Sequence, residues 1–271
     1  MSDLSIASAA PTVHAPARFC LQPDRRAEAA RRRRLLRDLE AALAQNAPSL
    51  RLCPRISLGD GHLLAEEVSW RWSHRRHGTL PGTALTDIAG NTAQGERLAV
   101  WFLRRVCTLA AGRLSRILLS LRVPQALLPM ERLERHLTAA LAVSDAPASL
   151  LELRFAEDQL DALAAADLLI LSRLRDRGIG IALEHFGSGA TSLGLLRRLP
   201  LTTVTLAADL LRHVPQDDDD RAMLHAIIAA AHGLGLAAVA CGVEREAQPA
   251  FLRRLGCDAA QGPGIAFGGM A

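Results

Sequence analysis

The chain contains no lysine and no tyrosine, and all 32 of its basic residues are arginine. No side-chain amine is therefore available as a general base, a Schiff-base former or a compact electrostatic clamp. Aromatic residues make up only 3% of the chain, so the core must be built from Leu, Ala, Val and Ile. The Arg/Ala/Leu bias is the signature of a GC-rich genome rather than of a function. The five cysteines, Cys20, Cys53, Cys107, Cys241 and Cys257, are odd in number, widely spaced and free of any CxxC pair. That argues against a disulfide framework and for buried thiols in a reducing compartment. No apolar run reaches about 18 residues without a charge, which excludes the pattern of a membrane span. The first 19 residues lack the compact apolar stretch of a secretory signal. These absences predict a cytoplasmic protein with no membrane association.

The residues that are present divide unevenly. Residues 1–23 are rich in Ala, Ser and Pro and read as a mobile tail. Residues 24–48 read as a basic helix that starts at Pro23-Asp24 and carries Leu35, Leu36, Leu39 and Leu43 at helical spacing, packed on the domain formed by residues 49–271. The Arg31–Arg34 run invites a nucleic-acid reading. No aromatic is interleaved with it and no recognition helix lies after it, so a solvated helix face is the better account. From residue 49 to 271 short apolar runs alternate with longer segments of helical period. The runs lie at 50–57, 63–70, 117–121, 150–155, 179–183, 202–206 and 236–241. Strands separated by helices imply βαβ units and a parallel sheet, and about eight units over some 220 residues suit a closed barrel. The predicted fold is an α/β, TIM-like (β/α)8 barrel with an N-terminal helical lead-in.

In "IALEHFGSGATSL" an alternating apolar run ends in Glu184-His185 and passes into a glycine turn, the way such a barrel presents reactive groups at its rim. At this point the residues carry a resemblance. "LLAEEVSWRWSHRRHGTLPGTAL", with Glu67, Arg71-Trp72 and the Gly78, Leu80, Pro81 turn, resembles the signature strand and loop of the EAL-domain family. "LEHFGSGATSLGLLRRLPL" resembles that family's Asp-Asp-Phe-Gly-Thr-Gly loop and helix, and "LGLAAVACGVE" and "LGCDAAQG" its closing segments. The resemblance runs from about Leu35 to the C-terminus and implies an EAL-type barrel. In that family a cyclic di-GMP phosphodiester is hydrolysed with divalent metal ions held by hard oxygen ligands.

Set against the family pattern, Glu67 and Gln261 are kept. Ser120 stands at the ligand asparagine, Arg154 at a ligand glutamate, and Glu184 and His185 at the aspartate pair. Thr205 replaces the lysine, Ala207 the aspartate two residues on and Cys241 a glutamate. A fixed guanidinium where a dication belongs is the gravest of these changes, since like unit charges 4 Å apart repel by about 4 kcal/mol at an effective dielectric of 20. Arg154 is expected instead to bridge Glu67 and Glu184 as a substitute cation, with outward pairing to Glu157 as the alternative. These positions read as vestigial, with no catalytic residue and no metal or other cofactor.

Other chemistries are weaker. Glu67, Glu184, His185 and Cys241 could suit zinc, but no local ligand spacing supports it and Arg154 opposes it. Ser69 and Ser188 sit in no nucleophile elbow. His74 and His77 read as solvated loop residues. The expected function is a catalytically inactive EAL-like domain that serves as a regulatory protein-interaction module in bacterial signalling, its protein partner unidentified. The alternative is a non-hydrolysing cyclic di-GMP receptor, with Glu67, Arg71, Phe186, Gly187, Glu244 and Gln261 as binding residues. Ser69 and Pro263, where the family favours an apolar residue and an aromatic, weigh against it. Residual phosphodiesterase activity comes last. The small residues of "SGATSLGLL" leave room for a homodimer through the helix after the glycine loop.

Overall fold

The computed structural model describes residues 25–113, 117–161, 163–187 and 193–265. The chain begins with helix α1 (Arg25–Ala44), followed by strands β1 (Ser49–Ser57), β2 (Leu63–His74) and β3 (Gly78–Pro81). Helices α2 (Gly82–Ala89) and α3 (Ala93–Ala111) lead into β4 (Leu118–Arg122), α4 (Met130–Ser144), β5 (Leu151–Phe155), α5 (Glu157–Asp161) and α6 (Ala165–Asp176). The remainder is β6 (Gly180–Phe186), α7 (Leu193–Arg198), β7 (Thr203–Leu206), α8 (Asp218–Gly233), β8 (Ala237–Cys241), α9 (Ala247–Arg254) and β9 (Ala259–Gln261).

Eight strands close a ring in the order β1, β2, β4, β5, β6, β7, β8, β9 and back to β1, while β3 folds onto β2 as a hairpin arm. The expected barrel is therefore present, with one inversion. β1 runs antiparallel to both of its neighbours, β2 and β9, and every other ring pairing is parallel. Two of the strands had no sequence signal. β3 is Gly-Thr-Leu-Pro, whose terminal glycine and proline read as turn residues, and β9 has three residues, too short for a two-residue alternation to show.

A strand places alternate side chains on opposite faces, and this sorts the barrel wall. On β5, Leu151, Leu153 and Phe155 are fully buried in the main apolar core, against the helices. Glu152 and Arg154, the alternate residues, turn inward. On β2 the outward set is Val68, Trp70 and Trp72, and Trp70 meets Trp101 of α3 edge-on at 5.6 Å. Gly82 is required under that contact, because a Cβ there would lie 2.4 Å from Trp70 Nε1.

α1 lies against this wall through Leu35, Leu36, Leu39 and Ala42, all buried, while Arg31–Arg34 are exposed. Arg32 donates to the carbonyl of Ile88 at 2.7 Å, and the Trp101 indole N–H donates to Asn46 at 3.3 Å. His74 departs from the expectation of a solvated loop residue. Its side chain is only 7% exposed, it accepts hydrogen bonds from the backbone N–H groups of Arg76 and His77, and it stacks on the His77 ring while pairing with Asp38 at 3.3 Å. It organises the β2–β3 turn. His77 itself is exposed, as expected. No described helix is long and apolar enough to cross a membrane. The N-terminal tail, Cys20, and Ser188 with the start of the proposed dimer segment fall outside the described residues.

Candidate functional site

The inside of the barrel is polar from its middle to its rim. Deepest lies Glu152, 1% exposed, whose carboxylate accepts from three other strands. Arg55 of β1 pairs with its Oε1 at 2.9 Å, Ser120 of β4 donates to the same oxygen at 2.6 Å, and Thr203 of β7 donates to Oε2 at 3.0 Å. Arg55 also donates to Ser120 at 3.1 Å and to Gln261 at 3.4 Å. Gly180, level with Glu152 in the sheet, leaves the space the acid needs, since a Cβ there would stand 3.2 Å from Glu152 Cβ.

One layer nearer the rim, Arg154 reaches Glu67 at 2.8 Å and Glu184 at 3.4 Å. The guanidinium expected to bridge those acids does so. Its Nε is within ion-pair distance of Glu184 but outside hydrogen-bond geometry, and Glu184 Oε2 is held in the same looser way by Arg122 at 3.1 Å. Gln261 donates to the second oxygen of Glu67. Burial pushes the Glu67 carboxyl up, but the charge and hydrogen bond of Arg154, the Gln261 amide and the charge of Arg55 outweigh it and hold Glu67 below the usual carboxylate range. Burial works against the Arg154 charge, and Glu67 and Glu184 more than restore it, so its affinity for the proton is raised. Burial pushes the Cys241 thiol up to about 11 despite nearby Arg55 and Arg154, so it is neither a thiolate nucleophile nor a ready zinc ligand at neutral pH.

Above this layer opens a cavity of about 740 Å³ at the carboxyl ends of the parallel strands. Its wall includes Arg51, Arg71 and Arg122, with Glu67, Arg154, Glu184, His185, Cys241 and Gln261 at its floor. His185 is exposed, sits at φ +54°, and donates its backbone N–H to Thr205 at 3.1 Å. The β6–β7 register slips between Leu183 and Phe186, and this left-handed residue resets the alternation, so that Glu184 faces the cavity while Phe186 joins the apolar core.

Of the six nucleotide-binding candidates, the fold brings Glu67, Arg71 and Gln261 to the cavity and leaves three out of its lining. Phe186 is buried in the apolar core, Glu244 is exposed beyond the rim, and Gly187 owes its identity to packing, since a Cβ there would meet Leu210 Cδ1 at 2.6 Å. Ser120 and Thr205 lie within the barrel rather than on the cavity.

Glu67, Ser120 and Glu152 are register partners across β2, β4 and β5. β5 therefore carries an interior acid, Glu152, two residues before Arg154 and one layer deeper. Arg55, Glu152, Arg122 and Thr203 were all missed by sequence reasoning. The two-residue alternation of "LELRF" was the one signal that could have found Glu152.

The divalent cations implied by the resemblance do not fit this arrangement. Each interior carboxylate is already paired with a guanidinium, and among the described residues no group of three or more His, Cys, Asp and Glu is placed to hold a metal ion.

The chain is similar to the bifunctional diguanylate cyclase/cyclic di-GMP phosphodiesterase MucR of Pseudomonas aeruginosa, 32% identical over 234 residues that cover 84% of this chain and 34% of that protein. It is 31% identical to the cyclic di-GMP phosphodiesterase NbdA of the same organism, over 83% of this chain and 29% of that one. The chain thus spans about a third of the length of these curated relatives. Among solved structures, a PaMucR phosphodiesterase in complex with c-di-GMP matches at a TM-score of 0.77 and 30% identity, over 87% of this chain and 96% of that one.

These relatives overturn the expectation that the chain is not an enzyme. They are named phosphodiesterases, and nothing in the structure shows loss of activity. The misreading has a physical reason: substitutions at motif positions do not reveal which charges other positions bring into the folded interior. The folded interior keeps Glu67, Glu152, Glu184 and Gln261, and it recruits Arg55 and Arg122 from positions no motif marks. Residues 36–266, most of the sequence, match the EAL domain model, and the chain belongs to the EAL domain family.

Proposed function

We propose that this domain recognises cyclic di-GMP in the cavity at the carboxyl rim of its barrel. The observation that carries the reading is the lining of that cavity. Arg51 and Arg71 enter it from β1 and β2, both exposed and neither in an ion pair among the described residues, and Arg122 enters from β4. A cyclic dinucleotide brings two phosphates, and a planar guanidinium fork is the side chain best matched to them. Its guanine edges offer both donors and acceptors, which the carboxylates and amides of Glu67, Asp87, Asp158 and Gln125 on the same wall can meet. A volume of about 740 Å³ is in the range of small-ligand sites. The structure of a 30% identical relative with c-di-GMP bound supports the same ligand here.

The reading concerns recognition, the step that binding and hydrolysis share. It ranks the nucleotide ahead of an unidentified protein partner because the fold builds a charged cavity, and the large apolar side chains exposed to solvent (Leu64, Val143, Leu169, Met223 and Leu234) are scattered along the chain.

Calorimetric titration with cyclic di-GMP tests it. Micromolar or tighter binding is expected, and Arg71→Ala should weaken it about 10–100-fold, the worth of one charge-assisted hydrogen bond. A silent titration of folded wild-type protein, or an Arg71→Ala variant that binds as well as wild type, would overturn the reading. Nucleotide turnover is followed in the same samples.

A further inference from the structure

We infer that Arg55 and Arg154 are resident cations that occupy the place of divalent metal, so that the interior of this barrel is charge-balanced by protein alone. The interior holds three carboxylates, Glu67, Glu152 and Glu184, and three guanidiniums reach them: Arg55, Arg154 and, from the mouth, Arg122. All six carboxylate oxygens already lie within 3.4 Å of a protein donor. Glu152 is held by Arg55, Ser120 and Thr203 and Glu67 by Arg154 and Gln261, while Glu184 is held by Arg154 and Arg122 at ion-pair distance without a hydrogen bond to its Oε2.

Two of the three arginines are themselves locked in. Arg55 and Arg154 are 3% and 6% exposed; among the described residues Arg55 is the guanidinium partner of the buried Glu152 and Arg154 that of the partly buried Glu67, so neither can swing out without leaving one of these acids without its cation. A dication entering between Glu67 and Glu184 would have to displace the Arg154 guanidinium that now lies between them, or tolerate it at contact distance. Arginine stays protonated under any ordinary condition, so the protein cannot make room by losing that charge. The same arrangement explains why Ser120 suffices on β4. Its hydroxyl both accepts from Arg55 and donates to Glu152, so it links a cation to an acid.

The consequence for ligand binding rests on the proposed recognition of cyclic di-GMP. Affinity for the nucleotide is independent of divalent cations, because the positive charge of the floor is supplied by Arg154.

The test separates the two claims. First, without nucleotide, the full chain is titrated with Mn²⁺ while the free-ion paramagnetic resonance signal and the melting temperature are recorded. Wild type is expected to leave the free Mn²⁺ signal undiminished and to melt at the same temperature in Mn²⁺ and in EDTA. Arg154→Ala is expected to melt lower than wild type and to regain part of the loss in Mn²⁺, as Glu67 and Glu184 become available. Arg154→Lys, which keeps a cation and is expected to fold even where the alanine variant does not, should stay unresponsive to Mn²⁺. Stoichiometric uptake by wild type that disappears in Glu67→Gln overturns the inference, as does a folded Arg154→Ala protein with no Mn²⁺ response. Second, cyclic di-GMP is titrated in EDTA and in Mn²⁺. Equal affinities support the inference. Affinity that appears only with Mn²⁺ overturns it and leaves recognition standing. Absence of binding in both buffers overturns recognition and leaves the first arm to decide the metal question.

Discussion

Replacing Arg55 by methionine tests the interior network at its deepest point. The Arg55–Glu152 pair is 2.9 Å long, with side chains 4% and 2% exposed. At that separation an effective dielectric of 20 gives about 6 kcal/mol of attraction, an upper bound on what the pair recovers of its desolvation cost. Removing one partner leaves Glu152 buried with only the Ser120 and Thr203 hydroxyls, and deletes the Arg55 bonds to Ser120 and Gln261. Breaking a buried pair in this way costs about 3–5 kcal/mol, which corresponds to a melting temperature lower by about 10 °C in a domain of this size. Replacing both partners, Arg55→Met with Glu152→Gln, removes the stranded charge and should cost less than Arg55→Met alone. Urea midpoints of wild type, the two single variants and the double variant close the cycle, and a coupling of about 2 kcal/mol or more is expected. An Arg55→Met midpoint within about 0.5 kcal/mol of wild type, or strict additivity, would refute the reasoning.

Other expectations rest on single residues. Glu67 is held below its ordinary value of 4.5, so its contribution to stability is fully present above that pH and is lost as pH falls through the lower folded value. Acid denaturation should therefore show a decline beginning below pH 4.5 that is shallower in Arg154→Gln, and identical slopes would contradict the pairing. Cys241, pushed up to about 11 and only 9% exposed, should resist iodoacetamide at mildly alkaline pH until urea is added. Rapid labelling of this thiol in the native protein would count against a closed interior. Gly82→Ala should cost about 1–3 kcal/mol and perturb tryptophan fluorescence, because the new Cβ must push Trp70 away from its 2.4 Å position. Unchanged stability and emission would show that the packing of Trp70 over Gly82 yields without cost.

The barrel was legible because seven of its ring strands are long enough to alternate, and the helices between them are longer than any hairpin loop. The inversion of β1 was not legible. "LRLCPRIS" alternates in the same way whichever direction it runs, and its arginines look like solvated ones in a chain where every basic residue is arginine. Arg55 becomes an interior cation only when β1 closes the ring between β2 and β9 and faces Glu152 across it.

The rim was half legible. Glu67, Arg71, Arg154, Glu184, His185, Cys241 and Gln261 do converge on the cavity, because each ends or nearly ends a strand or keeps the same inward alternation. Glu152 was overlooked on β5 because two residues along a strand preserve the inward direction and change only the depth, and the motif drew attention to Arg154 alone. Phe186 and Gly187 were misplaced for a different reason. The left-handed turn at His185 resets the alternation of β6, and no residue type in "LEHFG" announces it.

The most direct test of the account is a crystal structure of the domain grown with cyclic di-GMP in the presence of EDTA. The account predicts the nucleotide in the rim cavity, with Arg71 on a phosphate and the Arg154 guanidinium still between Glu67 and Glu184. Nucleotide bound elsewhere, or a cavity that remains empty at saturating concentration, would contradict it.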